Sequence, residues 1–206
     1  MKPKTHKELL LEWRARKFSW SQFSSFDYNK EGWYQSYFLQ KRGTATQQMD
    51  FGNTVGQSFA TDKPMADIVR YSEMEYCLEP KLGNIPLTGY FDSYDPKGSR
   101  LREYKTSSNT TKWNQKSVDE HRQLDWYCML LFLAKGIRPE SVEIHLEYIA
   151  VEQGNDFQMR VVNRTPKVFK TKRTMRQILK LMSDIRRRRK EMEAYIATKK
   201  PLFIAE

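Results

Sequence analysis

Apolar residues recur along this chain either at helical spacing or in the alternation of a β-strand. The helical spacing predicts helices over residues 5–16, 19–39 (with a break near 29–32), 51–60, 117–135 and 174–197. The alternation predicts strands over 74–82, 85–94, 100–106 and 142–152, and one further strand or hairpin over 158–162 and 166–169. The first three strands follow one another through short turns, as in an antiparallel meander. This order of elements predicts an α/β fold with a mixed central β-sheet flanked by α-helices.

Capping signals indicate where several of these helices begin and end. Thr5 with Glu8, and Ser117 with Glu120, are capping-box pairs, so we expect a helix to begin at each. Gly136 should end the second of these helices. The last helix should bury an apolar stripe formed by Met175, Ile178, Leu179, Met182, Ile185, Met192 and Tyr195. We expect its run of four arginines, residues 186–189, to lie on the outer surface.

Residues 95–98, Asp-Pro-Lys-Gly, have the composition of a tight turn between two strands. Proline presets φ and glycine accepts a positive φ, so we expect a β-hairpin here. A turn centred on the Lys-Gly pair places Asp92 opposite Glu103. It also places Tyr90 opposite Lys105. Opposed residues, and residues two apart on one strand, point to the same face of a sheet, so two carboxylates and a lysine should converge.

Convergent carboxylates favour a cation, because two of them side by side repel each other. Hard oxygen ligands suit Mg²⁺ or Mn²⁺, so Asp92 and Glu103 are candidate metal ligands. The backbone carbonyl of Tyr104 could add a third oxygen. Lys105 would then position a water or offset negative charge on a phosphate that reacts at the metal.

Residues outside the hairpin extend this patch. Glu75 or Glu79, on the preceding strand, is a candidate for a further carboxylate ligand. Gln123 and Tyr127 lie one turn apart on the following helix and therefore share a face. Gln123 could donate a hydrogen bond to a phosphate or to an attacking water. The alternative is an exposed hairpin whose glutamate and lysine form an ordinary surface pair.

The composition indicates one globular domain. Of 206 residues, 39% are hydrophobic and 30% are charged. We divide the chain into an N-terminal helical part (1–60), a core that contains the candidate site (74–152) and a basic C-terminal segment (160–206). No apolar run approaches the length of a membrane span, and no signal-peptide core follows the N-terminus. Two cysteines cannot build an iron–sulfur cluster with four cysteine ligands, so we expect no such cluster and a cytoplasmic location.

The net charge of +11 belongs to the C-terminal segment. Residues 160–206 contain 15 Lys and Arg residues against four Asp and Glu residues, so the first 159 residues are neutral overall. A polyanion is the expected partner, and nucleic acid is the commonest one. The candidate contacts, with Trp113 stacking on a base, are Lys112, Trp113, Lys116, Lys172, Arg173, Arg176, Arg186, Arg187, Arg188 and Arg189. The alternatives are a solvated basic helix face and, with little support, a protein of the membrane surface.

Three motifs, in this order, resemble those of the PD-(D/E)xK nuclease superfamily. They are Gly-Tyr-Phe-Asp at 89–92, Glu-Tyr-Lys-Thr at 103–106 and Gln-Leu-Asp-Trp-Tyr at 123–127. They are most similar to the RecB-like exonuclease branch, which includes the CRISPR-associated RecB-like nucleases. The aromatic segment 19–39 resembles an N-terminal segment of that branch, and 51–56 resembles its G-x-x-x-H motif.

The resemblance implies a restriction-endonuclease-like core and a divalent-metal-dependent DNA nuclease. This would be an exonuclease of recombination, repair or phage DNA processing. Asp92 and Glu103 would be ligands of Mg²⁺ or Mn²⁺, and Lys105 would be the catalytic lysine. Gln123 and Tyr127 would shape the catalytic site beside the scissile phosphate. The substrate would be a single- or double-stranded DNA end. A recombinase or a single-strand-binding protein would be a further partner. A phage-encoded enzyme of this kind would act in the host cytoplasm.

The chain departs from the pattern of this family at two places. The family histidine, often a metal ligand, falls at Gly56, with Gln57 beside it, and the iron–sulfur cysteines of several members are absent. His121 lies outside the histidine motif and is interpreted as incidental. The missing histidine motivates an alternative function, a catalytically inactive nucleic-acid-binding protein on the same fold. The intact carboxylates, lysine and glutamine favour the enzyme.

Overall fold

The structure is a computed structural model that describes residues 5–41, 73–95, 97, 99–109, 111–154, 159–162 and 165–199. The helix predicted over 51–60, which includes Gly56, lies outside the described residues. None of the helices in the described part of the chain is long and apolar enough to cross a membrane.

Short helices build the N-terminal part. Helix α1 spans His6–Ala15 and begins at the predicted capping box, in which Thr5 and Glu8 bond to each other's backbone. Helix α2 (Trp20–Tyr28) is followed by α3 (Lys30–Trp33), which continues into a π-helical turn (Tyr34–Phe38). Asn29 separates α2 from α3, because its side chain accepts the backbone N–H of Gly32 and so caps the second helix. The break predicted near 29–32 is confirmed.

The strands form a mixed sheet, as predicted. They are β1 (Glu73–Leu78), β2 (Lys81–Leu82), β3 (Ile85–Pro86), β4 (Gly89–Asp95), β5 (Arg100–Ser107), β6 (Glu143–Gln153), β7 (Met159–Val161) and β8 (Lys167–Thr171). The six-stranded sheet of the described residues has the order β1-β4-β5-β6, and β7 and β8 both pair with β6. β5 and β6 are parallel, and the other pairs are antiparallel. β2 and β3 form a separate small hairpin, so the strands predicted over 74–82 and 85–94 are each divided.

Three helices after the meander complete the described fold. Helix α4 spans Gln115–Asp119, α5 spans Arg122–Lys135 and α6 spans Met175–Ala197. α5 packs against β1, β4 and α6, and every side chain from Leu124 to Leu131 is buried. Gly136 ends α5 in the left-handed region at φ 70°, as predicted. The sheet is thus flanked by helices.

The second predicted capping box does not open the long helix. Asn114 caps α4 instead, because its side chain accepts the backbone N–H of Ser117 and leaves Ser117 inside the helix. α5 begins separately, after His121.

The apolar stripe of α6 also differs from the prediction at one position. Leu179 is exposed, with 57% of its surface accessible, whereas Leu181 and Ile196 are buried. A rotation of about 100° per residue places Leu179 on the flank of the face that Ile178 and Ile185 bury.

Gly89 allows α5 to approach β4 closely. A Cβ atom at this position would lie 2.5 Å from Cδ1 of Leu130 and 3.3 Å from Nε1 of Trp126. The Trp126 indole also donates a hydrogen bond of 3.2 Å to the carbonyl of Thr88, which holds the helix against the start of the strand. The glycine of the Gly-Tyr-Phe-Asp motif therefore has a packing role.

We expect the Gly89→Ala change to destabilise the protein by about 1–3 kcal/mol, the usual effect of overpacking a buried site. Thermal unfolding would measure the loss. A second change, Leu130→Val, removes the methyl group that meets the new Cβ and should recover part of the lost stability. An unchanged midpoint for Gly89→Ala alone would contradict this account of the packing.

Candidate active site

The hairpin register is confirmed where the two strands pair. Ser93 pairs with Arg102, Tyr94 with Leu101 and Asp95 with Arg100, and all three pairs follow the predicted centre of the turn. The pairing of β4 with β5 ends after these three pairs, so the predicted opposition of Tyr90 and Lys105 is not formed. Tyr90 is 61% exposed.

Beyond these backbone pairs, Asp92 bonds to β5 through its side chain. Its Oδ2 accepts the backbone N–H of Tyr104 at 2.7 Å. This bond holds the Asp92 carboxylate against β5, between the backbone positions of Glu103 and Lys105. In an extended strand, the N–H and C=O of one residue point to the same side. The carbonyl of Tyr104 therefore faces the side on which Asp92 lies.

Glu103 is buried on β5, with only 1% of its surface exposed. Its Oε1 accepts a short hydrogen bond from the Lys105 ammonium. Its Oε2 is buried and has no hydrogen-bond partner. Burial raises the pKa of Glu103 to about 8 against the attraction of Lys105, and the nearby Asp92 carboxylate adds to the rise. A buried carboxylate oxygen without a partner is unusual and needs an explanation.

A chain of hydrogen bonds leads from this carboxylate to α5. Lys105 Nζ donates to Oε1 of Gln123 at 3.1 Å, and Nε2 of Gln123 donates to the hydroxyl of Tyr127 at 2.6 Å. The Tyr127 ring packs edge-on against Phe91, with ring centres 4.8 Å apart. The structure therefore brings together Asp92, Glu103, Lys105, Gln123 and Tyr127, the five residues proposed for the catalytic site.

The electrostatics of this cluster follow from its burial. Burial alone would lower the pKa of Lys105, but the Glu103 carboxylate outweighs it and raises the pKa above its usual value. Burial raises the pKa of Tyr127 well above its usual value, and the charges of Glu103 and Asp92 raise it further. Lys105 is consequently cationic and the Tyr127 hydroxyl is neutral at physiological pH.

The donor set of the cluster fits a divalent cation. Asp92 and Glu103 supply carboxylate oxygens, and the orphaned Oε2 of Glu103 has the free acceptor that a ligand needs. The Tyr104 carbonyl is a third oxygen of the kind that Mg²⁺ and Mn²⁺ accept. Within the described ranges, no group of three or more His, Cys, Asp or Glu side chains comes together as a metal site. The described residues thus offer two carboxylates and a carbonyl.

The two candidates for a further ligand lie in different surroundings. Glu79 follows β1 and forms an ion pair of 2.6 Å with Lys17. The hydrogen bond from Lys17 lowers the pKa of Glu79. Glu75 lies on β1 between Met74 and Tyr76, which pair with Ser93 and Phe91, so its backbone is level with Asp92.

The loop after β5 differs from the prediction at Trp113. Its side chain is only 7% exposed and packs edge-on against His121, with ring centres 5.1 Å apart. A buried indole cannot serve as an open platform for a base, so the stacking prediction is wrong for this conformation. Lys112 and Lys116 on the same stretch are exposed.

His121, which the sequence left aside, lies beside the site. Burial and the charge of Lys105 together lower the pKa of His121 to about 4, so the imidazole is neutral. Its Nε2 is buried without a hydrogen-bond partner. Its position two residues before Gln123 was the signal that the sequence offered.

Arg173 is a structural residue and not a nucleic-acid contact. It is 1% exposed, and its Nε donates to Asp125 Oδ1 at 2.5 Å. Its other nitrogens donate to the carbonyls of Val118 and His121 and to the hydroxyl of Thr171. The nucleic-acid prediction is wrong for this residue, because its guanidinium joins α4, α5 and β8.

Arg188 and Arg189 face the N-terminal helices, not the outer surface. Arg189 is 6% exposed, and its guanidinium lies 3.8 Å from the centre of the Trp13 ring. Burial lowers the pKa of Arg189 to about 10. Arg188 forms an ion pair with Asp27 and lies 5.6 Å from the centre of the Phe23 ring. The other predicted cations are exposed; they are Lys172, Arg176, Arg186 and Arg187.

Several solved structures share this fold. A presumed exonuclease from Eubacterium rectale matches with a TM-score of 0.58 over 94% of this chain and 85% of its own, at 10% identity. An alkaline exonuclease from Laribacter hongkongensis matches with a TM-score of 0.56 over 90% and 94%, at 13% identity. A structure of that enzyme in complex with dAMP matches as well, with a TM-score of 0.53. A phage-related exonuclease from Haemophilus somnus matches with a TM-score of 0.53 over 79% and 78%, at 10% identity.

No family model matches the chain, and no curated protein matches it. At these identities, the structural likeness establishes the fold, which is the predicted restriction-endonuclease-like α/β core with a mixed sheet and flanking helices. These neighbours are described as exonucleases, and membership of the PD-(D/E)xK superfamily stays a prediction. The RecB-like branch stays a prediction.

The raised pKa of Glu103 predicts how the free energy of unfolding depends on pH, which can be measured without a substrate. The folded protein holds this proton up to a pH of about 8, whereas an unfolded chain releases it near 4.5. The folded state therefore binds more protons between these values, and the free energy of unfolding should decrease as the pH rises through this range. Thermal unfolding in EDTA would measure the decrease. The Glu103→Gln variant, which has no proton to release there, should show a smaller one, and equal slopes would contradict the prediction.

Proposed function

We propose that this protein is a divalent-metal-dependent DNA nuclease, and specifically an exonuclease. The observation that carries the proposal is the Glu103 carboxylate, which has one oxygen bonded to Lys105 and the other buried without a partner. A cation ligated by Glu103 and Asp92 would give this buried oxygen a partner. The exonuclease neighbours support the same function.

The residues divide the chemistry of phosphodiester hydrolysis between them. Asp92 and Glu103 would hold Mg²⁺ or Mn²⁺, with the Tyr104 carbonyl as a further oxygen. The bound cation supplies Lewis-acid stabilisation of the negative charge that develops on the phosphate. Glu103 must lose its proton to act as a ligand, and the adjacent Lys105 ammonium favours this loss.

Lys105 would act on the reacting phosphate. Its ammonium is held between Glu103 and Gln123, so it can donate to a phosphate oxygen or orient the attacking water without reorganising. The water would attack the phosphorus as the bond to the ester oxygen of the neighbouring nucleotide breaks. The proton that the water loses balances the proton that the leaving oxygen gains. Tyr127 fixes the Gln123 amide, and Gln123 thereby fixes the direction of the Lys105 side chain.

Incubation with DNA tests the proposal. Linear and circular DNA, single- and double-stranded, should be compared in Mg²⁺, Mn²⁺ and EDTA. We expect metal-dependent degradation of linear DNA only, and loss of activity in Asp92→Asn. The matched control is Asp119→Asn, because Asp119 is an exposed carboxylate on α4. Salt-sensitive DNA binding without cleavage in any metal would favour the inactive nucleic-acid-binding protein instead.

Metal binding can be measured separately from DNA cleavage, by thermal unfolding. At pH 8, addition of Mn²⁺ should raise the thermal unfolding midpoint of the wild type, because a ligand that binds only the folded state stabilises it. The Asp92→Asn variant should respond less. An equal response would place the cation elsewhere in the protein.

A further inference from the structure

The solvent side of α6 carries a stripe of cations. Its opposite side is buried, as Ile178, Ile185 and Met192 show. The exposed cations are Arg176, Lys180, Arg186, Arg187 and Lys190. We call these five residues the α6 cationic face. Four of them recur at intervals of three, four or seven residues, so they line one side of the helix.

The positive charge of this face is only partly neutralised. Lys180 and Arg187 share Asp184, at 3.2 Å each, and Arg187 also pairs with Glu191 at 2.9 Å. Asp184 and Glu191 are shared in turn with Arg122 and Arg188, which lie outside the face. The remaining cations of the face, Arg176, Arg186 and Lys190, form no ion pair with any described residue.

The face connects to the candidate active site through Asp184. Oδ2 of Asp184 accepts a hydrogen bond of 2.7 Å from Arg122. Arg122 begins α5 and directly precedes Gln123, which accepts from Lys105. One ion pair therefore joins the middle of the cationic face to the end of α5 that carries the site.

We propose that the α6 cationic face binds the phosphate backbone of the nucleic acid outside the catalytic centre. The stripe from Arg176 to Lys190 is about 21 Å long at 1.5 Å per residue. Duplex DNA carries one charge per about 1.7 Å, so a stripe of this length can meet several phosphates. Lysine and arginine contacts to phosphate carry no base information, so the binding is independent of sequence. The identity of the polyanion rests on the proposed function.

The chemistry of the face favours nucleic acid over a lipid surface. A helix that lies on a membrane needs a broad apolar side in addition to its cations. Leu179 is the large apolar side chain exposed on the described part of α6, and it stands alone there. A charged polymer with closely spaced anions matches the face better than a bilayer does.

Binding of fluorescent duplex DNA in EDTA, at several salt concentrations, tests the proposal without cleavage. The test variant is the triple change Arg176→Gln, Arg186→Gln and Lys190→Gln. The control removes the same charge elsewhere, from exposed Lys81, Lys97 and Lys135. Each lost phosphate contact lowers the magnitude of the slope of log affinity against log salt by about 0.9. The test variant removes three cations, so its slope should be shallower by about 2 to 3. The control should keep the wild-type slope.

Equal slopes for the two variants would overturn the proposal, since the effect would then reflect net charge alone.

Hydrolysis of a small phosphodiester, bis(p-nitrophenyl) phosphate, measures the catalytic centre without contact to the α6 cationic face. Wild type and test variant should hydrolyse it at the same rate in Mn²⁺, and a loss in the variant would overturn the placement outside the centre. DNA binding that depends on the face, in a protein that hydrolyses nothing, would support the face and overturn the nuclease function.

Discussion

Replacement of Lys105 by methionine is expected to lower DNA cleavage by about 10²- to 10³-fold, the usual effect of removing one preorganised donor to a reacting oxyanion. Methionine keeps most of the length of the side chain but removes the ammonium that Glu103 and Gln123 hold. DNA binding should change little, because one partly buried charge contributes little to a polyelectrolyte contact. Single-turnover cleavage in Mg²⁺ and binding in EDTA would measure the two effects separately.

The matched control for this change is Lys81→Met, since Lys81 is an exposed lysine on β2. It should retain wild-type cleavage. A variant of Lys105 that cleaves as fast as the control would remove the lysine from the mechanism. Thermal unfolding should show that the variant is folded.

The largest stability effect is expected at Arg173. Breaking a buried ion pair by removing one partner typically costs about 3–5 kcal/mol, because the other charge is left buried and uncompensated. The Arg173→Met change leaves Asp125 in this situation. The carbonyls of Val118 and His121 and the hydroxyl of Thr171 also lose a donor. For a chain of this size, the midpoint of thermal unfolding should fall by about 6–20 °C.

Arg176→Met is the control, because Arg176 is exposed three residues away on α6. Its effect should stay within about 0.5 kcal/mol. The double change Asp125→Asn with Arg173→Met should cost less than the sum of the single changes, because the two residues share one interaction. A stable Arg173→Met protein with weakened DNA binding would restore the nucleic-acid role that the structure argues against.

The hairpin of the candidate site was predictable because its geometry is local. The turn at 95–98 lies within a few residues of both strands, so its chemistry alone sets the pairing of Ser93 with Arg102. The side-chain bond from Asp92 to Tyr104 was not predictable, because it forms where the ladder ends. Sequence alternation continues past that point and cannot show that two strands have separated.

The roles of the cations were less predictable, for a reason that the arginine run shows. Residues 186–189 are four identical letters, yet Arg186 and Arg187 are exposed while Arg189 is buried against Trp13. A helix turns each successive residue by about 100°, so four neighbours must point in different directions. Which directions meet protein depends on the N-terminal helices, more than 150 residues earlier in the chain.

By itself, the sequence determined the class of fold, most helix and strand positions and the convergence of Asp92, Glu103 and Lys105. These features depend on caps, turns and periodicity, which act over a few residues. Only the tertiary structure decided that Trp113 and Arg173 are buried, that His121 borders the site and that the cations on one side of α6 are exposed. These features depend on contacts between distant segments, and burial there turns a polar or aromatic residue from a surface group into part of the core.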